Sequence, residues 1–238
     1  SVITLAIAAF GEVMPEHAIW RTSAQPGDAI LVTGIHGASR AGLELLLHPE
    51  EGQALSPQAR QTLIQAHQRP CPRLDVLPWL EQEDRRQETG GKKQEIGVNP
   101  KSSSEAAQSA IQNPKSKISP LDRIAGMDSS DGLADAVLQI CRASGVGARL
   151  ERDRIPLPDS FQQWLTPERA MEWALYGGED FELVLCLPYD RAQVLVQQLG
   201  QPAAIVGTIT ADSEVWLVDP KNKNLDQQLK LDRGFQHF

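Results

Sequence analysis

The chain has 238 residues, 41% hydrophobic and 23% charged, which suits one large domain or two small ones and excludes a wholly disordered polymer. A net charge of −8 offers no basic surface for nucleic acid, and no apolar run approaches the roughly 20 residues needed to cross a bilayer. Three widely spaced cysteines, Cys71, Cys141 and Cys186, odd in number and without CxxC spacing, argue against a disulfide framework or a zinc site and fit a cytoplasmic protein.

The first residue is Ser1, and residues 2–13 read at once as a strand of β-branched and small residues. A domain rarely opens on a fully apolar strand, so upstream sequence is expected, and residues 1–17 read as the last strand of an otherwise missing domain. Gln25-Pro26-Gly27-Asp28 signals a turn, followed by a buried strand over residues 29–33. Gly34 and Gly37 bracket a loop into a helix that Ser39 would cap, with Ala41, Leu43, Leu45, Leu46 and Leu47 on its apolar side. Ser56-Pro57 opens a second helix, since Ser caps and Pro fits the first turn; it carries Leu63, Ile64 and His67 and stops before Pro70. Residues 81–118 are rich in Gln, Lys, Glu, Ser, Gly and Asn. With so few apolar side chains they read as a disordered insertion in a domain over 18–238.

Order is expected to resume at Pro120. Residues 125–128 look like a strand end, and residues 130–144 form an amphipathic helix closed by Gly145. A short strand over 148–150 precedes Thr166-Pro167-Glu168, which opens another helix with cap, proline and acid in favoured order. Gly177-Gly178-Glu179-Asp180 leads into a strand over 181–187, then a helix over 191–199, a strand over 204–209 and a hairpin strand over 215–218. The mixture predicts an α+β fold, layered α/β/α, with a mixed sheet flanked by helices. Trp79, Trp164, Trp173 and Trp216 read as packing residues, and His36 has no assigned role.

Two segments carry the chemistry. In Asp128-Ser129-Ser130-Asp131-Gly132 two carboxylates lie three residues apart where a strand ends and a helix begins. Free N–H groups and the positive end of the helix dipole favour phosphate there. Carboxylates at that place would repel it unless a hard cation such as Mg²⁺ bridged them. The competing reading is plain capping by Ser130 or Asp128 with Asp131 in the first turn. In Gly177-Gly178-Glu179-Asp180 the glycines permit positive φ and close approach of a ligand, and two acids form a second polar point; a helix end followed by a solvated turn explains the same residues. Arg21 could neutralise nucleotide phosphate or serve as a surface ion-pair former.

Taken together and in order, these pieces resemble thiamine-monophosphate kinase, in the superfamily of ATP-using enzymes like aminoimidazole ribonucleotide synthetase. The resemblance runs through Arg21, Ala24-Gln25-Pro26-Gly27-Asp28, Val32-Thr33-Gly34, Ala41-Gly42-Leu43, His67-Gln68-Arg69-Pro70 to Pro72-Arg73, Met127 to Leu133, Gly177 to Leu183, and Gly234-Phe235-Gln236-His237-Phe238. It implies a C-terminal domain of that superfamily, with Asp128 and Asp131 binding Mg²⁺, Ser130 and Arg21 contacting ATP, Glu179 facing thiamine monophosphate and Phe235 packing on its rings. The implied reaction is direct transfer of the ATP γ-phosphoryl group to thiamine monophosphate, with no covalent enzyme intermediate. The family's N-terminal domain, with its further aspartates, is lacking here, so this chain alone is expected to be inactive. The resemblance also implies a homodimer at full length. Alternatives are another substrate within the superfamily, such as a hydrogenase-maturation or selenophosphate-type activity, and a truncated, non-catalytic nucleotide- or partner-binding module.

Overall fold

The computed structural model describes residues 8, 10–14, 18–80 and 123–231. The expected insertion at 81–118 and the Phe235 assignment lie outside these residues, as does most of the expected opening strand. Of residues 2–13, those described, Ala8 and residues 10–13, carry no strand.

The elements are β1 (Ala29–Val32), α1 (Ala38–Leu47), α2 (Pro57–Gln68), α3 (Leu77–Leu80), β2 (Ala125–Asp128), α4 (Leu133–Ser144), β3 (Gly147–Glu151), α5 (Pro167–Tyr176), β4 (Leu183–Leu187), α6 (Tyr189–Leu199), β5 (Ala204–Thr210), β6 (Val215–Val218) and β7 (Gln227–Gln228). The strands form one mixed seven-stranded sheet in the order β2-β4-β1-β5-β3-β6-β7. Every pairing is antiparallel except β3 with β6.

Alternation of side chains along β1 explains the layers. Ile30 and Val32 join Leu133, Val137, Ile140 and Cys141 of α4 and Met171 and Leu175 of α5 in one core. Ala29 and Leu31 point the other way, into a core with Leu80, Ala192 and Leu195 on α3 and α6. Both faces of the strand are therefore covered, so it reads in sequence as an unbroken apolar run and not as an alternating one. Each large side chain removed from water in this way contributes about 1.5–3 kcal/mol. A third cluster joins Ala41 and Leu45 of α1, Leu63 of α2, and Ala170 and Trp173 of α5 around Phe161. The layered α/β/α architecture is thus present.

Three local expectations are corrected. Ser39 does not cap α1: Gly37 is the N-cap residue and supplies no side chain, while Ser39 lies buried in the first turn. Residues 181 and 182 do not belong to β4, because Phe181 has φ 53° and left-handed backbone cannot join a ladder. Finally, β6 forms no hairpin with β5. Both edges of β5 are occupied, by β1 and by β3, so the chain passes to the far side of β3 and β6 pairs there in parallel. By contrast, Ser56 and Thr166 do cap α2 and α5, accepting from the N–H of Ala59 and Arg169.

Candidate functional site

Antiparallel pairing of β2 with β4 sets Asp128 opposite Leu183. The acidic segment leaving β2 and the glycine-acid segment entering β4 therefore meet at one end of the sheet. They are joined by backbone: Ser129 N–H donates to the Glu182 carbonyl at 2.8 Å, and Glu179 N–H donates to the Ser130 carbonyl at 2.7 Å. Gly132 closes the corner. Its φ is 103°, and a Cβ there would lie 2.6 Å from the Leu175 carbonyl oxygen, so α4 and α5 approach at a point where only glycine fits.

This geometry decides against capping by the acidic segment. The N-cap of α4 is Gly132, no side chain caps the helix, and the acid in its first turn is Asp135. Asp128 instead stands exposed at the strand end, with Ser130 and Asp131 half-buried beside it. Ser129 is fully buried, and its hydroxyl has no hydrogen-bond partner. Burial raises the Asp135 carboxyl above its ordinary range; the Asp131 charge adds to this, while the Arg21 charge opposes it. Arg21 thus belongs electrostatically to the Asp131–Asp135 neighbourhood. Its carbonyl is held by the Ser144 hydroxyl at 2.8 Å, and the residue is exposed.

The glycine-acid segment is bent out of ordinary conformations. Gly178, Glu179 and Phe181 have φ of 65°, 59° and 53°. For the two non-glycine residues this costs on the order of 1–3 kcal/mol each, so the surroundings must impose it. Asp180 shows how. Its carboxylate accepts from the N–H groups of Gly37 at 2.7 Å and Ser39 at 2.9 Å, supplying from 141 residues away the cap that α1 lacks locally. Burial nonetheless pushes the Asp180 carboxyl up to about 7, against the backbone hydrogen bonds that favour its ionised form. Glu179 points elsewhere: Oε2 lies 3.4 Å from Nδ1 of His67 at the end of α2. Glu182 receives hydrogen bonds from the Thr33 hydroxyl at 2.5 Å and Arg73 Nη1 at 2.6 Å. It packs so closely on Gly34 that a Cβ there would lie 2.1 Å from its Oε1. His36, in the same loop, is fully buried; desolvation brings its imidazole down to about 4, and the ring is neutral.

The structure thus brings Asp128, Ser130, Asp131 and Glu179 together and places Arg21 within the field of the neighbouring Asp135. Sequence reading gave no role to Asp135, Glu182, Arg73 or Thr33, although Thr33, Arg73 and Glu182 stood within the motifs that carried the family resemblance, and it gave Ser39 only the role of a helix cap. Among the described residues, no three His, Cys, Asp or Glu side chains are grouped to hold a metal by themselves. Asp128 and Asp131 offer hard oxygen donors only, which suits Mg²⁺, an ion that binds through one or two carboxylates and otherwise keeps water and phosphate oxygens. Among the described residues, no helix is long and apolar enough to cross a membrane.

The mixed seven-stranded sheet with helices on both faces is the architecture of an AIR synthase-type C-terminal domain. The chain belongs to the family "AIR synthase related protein, C-terminal domain", whose model matches residues 86–219. Within it, the chain is 45% identical over 236 residues to the thiamine-monophosphate kinase of Synechococcus elongatus, covering 99% of this chain and 59% of that one. Against the enzyme of that name from Escherichia coli K12 it is 30% identical over 241 residues, covering 99% of this chain and 60% of the other. The fold matches a solved structure of AaThiL complexed with AMPPCP and TMP at a TM-score of 0.58 and 25% identity, over 92% of this chain and 54% of that one. The chain therefore spans about three-fifths of the length of the curated relatives it matches.

Proposed function

We propose that this chain is the C-terminal portion of an enzyme that transfers the γ-phosphoryl group of ATP directly to thiamine monophosphate, giving thiamine diphosphate. The observation that carries the reading is the backbone-locked junction of the two acidic segments, through Ser129 to Glu182 and Glu179 to Ser130. It brings the segment we read as a phosphate-and-cation corner against the carboxylate we read as substrate-facing. The kinase relatives and the solved complex with AMPPCP and TMP support the same donor and acceptor.

In this reading Asp128 and Asp131 hold Mg²⁺ on the nucleotide phosphates. The ion would neutralise charge on the phosphoryl group in transfer, and the remaining ligands would be water, phosphate oxygens and carboxylates from elsewhere in the complete protein. Ser130 donates to a phosphate oxygen and Arg21 balances nucleotide charge. Glu179 meets the thiamine monophosphate, whose thiazolium ring is cationic, and Phe235 packs on its rings. No residue acts as a nucleophile; alignment and charge neutralisation supply the rate. The complete protein works as a homodimer in the cytoplasm.

The test is an assay of the complete gene product with Mg²⁺, ATP and thiamine monophosphate, following thiamine diphosphate by chromatography. Turnover on the order of 1–100 per second is expected for the complete protein, and little or none for the 238-residue chain alone. Failure with thiamine monophosphate, alongside ATP use with a different acceptor, would overturn the substrate while keeping the superfamily.

A further inference from the structure

Glu179 is held on several sides by groups that sequence motifs did not connect to it. Its N–H donates to the Ser130 carbonyl at 2.7 Å and its φ is 59°. Its Oε2 lies 3.4 Å from His67 Nδ1, with side-chain exposures of 39% for Glu179 and 21% for His67. The same Nδ1 lies 3.1 Å from the hydroxyl of Ser39, which is buried in the first turn of α1. The neighbouring Asp180 is bonded to the N–H groups of Gly37 and Ser39. The backbone under Glu179 is thus clamped to α1 and to the segment after β2, while its carboxylate lies beside an imidazole from α2 and the side chain stays partly open to solvent.

We propose that His67 is a positioning residue for substrate binding: with Ser39 fixing its ring, its Nδ1 directs the Glu179 carboxylate toward the cationic heterocycle of the phosphoryl acceptor. This rests on the reading of Glu179 as substrate-facing. A carboxylate left to rotate freely would still attract a cationic ring, but would lose orientation on binding it. The effect therefore belongs in the KM for the acceptor and not in the handling of ATP. A half-buried histidine–carboxylate pair that only joins α2 to the loop would instead change thermal stability and leave KM alone.

The experiment uses the complete gene product with the variants H67A, H67N, H67Q, E179Q and H67A/E179Q. It measures kcat, the KM for thiamine monophosphate, the KM for ATP and the Tm. H67A is expected to raise the acceptor KM about tenfold while leaving the KM for ATP within about twofold. H67N, whose amide nitrogen takes the place of Nδ1, should restore most of the loss, and H67Q, whose amide reaches the Nε2 position, should not. In the E179Q background H67A should add nothing further, because the group it positions is gone. If H67A fails to fold, the contrast of H67N with H67Q decides the same point. An E179Q effect on the acceptor KM, with no effect of H67A or an equal one in both backgrounds, overturns the positioning and leaves the role of Glu179 standing. An unchanged acceptor KM in E179Q overturns that role, and the positioning with it.

Discussion

Asp128 ends β2 while Asp180 lies in the bent segment ahead of β4, and the two stand in different environments. Asp128 is exposed at the end of β2, caps nothing, and forms no part of the hydrophobic core. Replacing it with Asn keeps its size and removes a hard, charged ligand. D128N in the complete gene product is therefore expected to lower kcat by about 100-fold or more, with a Tm within about 2 °C of the parent. Full activity in D128N would remove Asp128 from the metal site. Asp180 is half-buried, with its carboxylate turned onto the start of α1, and desolvation there raises its carboxyl from 3.8 to about 7. A group raised in the folded state binds more protons there than in the unfolded chain between these two values. Its stabilising contribution is whole below about pH 4 and is lost as pH rises through about 7. D180N keeps an acceptor oxygen for one of the two N–H groups, which donate to separate carboxylate oxygens in the parent, and cannot ionise. Calorimetry from pH 4 to pH 8 should show the parent losing stability across that window relative to D180N. Parallel curves would mean that the carboxyl titrates normally. Sequence reading found Asp180 but not its task, because both partners lie more than 140 residues away and nothing local marks a borrowed cap.

Helix ends separate what the sequence discloses from what it hides. The caps of α2 and α5 were legible because Ser56 and Thr166 bond to N–H groups three residues on, ahead of a proline that suits the first turn. S56A should accordingly cost about 1 kcal/mol in urea unfolding with an unchanged m-value; no loss would mean that water replaces the cap. The start of α4 was legible as a corner but not in its register. Ser130 and Asp131 look like a cap and a first-turn acid, yet they form a turn outside the helix, which starts at Leu133. The cause is tertiary: Gly132 passes within van der Waals reach of the Leu175 carbonyl, so the chain turns where α5 permits. G132A would combine a left-handed φ of 103° with a Cβ 2.6 Å from that oxygen. We expect a loss of about 2–4 kcal/mol by chemical denaturation, from strain and from separation of α4 and α5. A loss below about 0.5 kcal/mol would show that the two helices adjust to admit a methyl group.

At the scale of the whole molecule, the alternation of strands and helices announced a layered fold, and the unbroken apolar run at residues 29–32 announced a strand covered on both faces. Strand order was not legible. β6 read as the hairpin partner of β5 because sequence neighbours usually pair, whereas occupancy of both β5 edges is a property of the assembled sheet. The same assembly ranks the strands by protection. β1 has β4 on one side and β5 on the other, and all four of its residues are completely buried. Opening it requires both cores to separate, which approaches global unfolding. β7 has two residues, both partly exposed, and among the described residues pairs only with β6. Native-state hydrogen exchange should therefore find the slowest amides in β1 and its partner β4, with β7 exchanging by local fraying. The acidic corner hangs from the ends of β2 and β4, so its backbone bonds, Ser129 to Glu182 and Glu179 to Ser130, should be protected to an intermediate degree. Exchange at Ser129 and Glu179 as fast as in β7 would mean that the corner is not held before substrate arrives. The case for a prearranged site would then fail even with the fold intact.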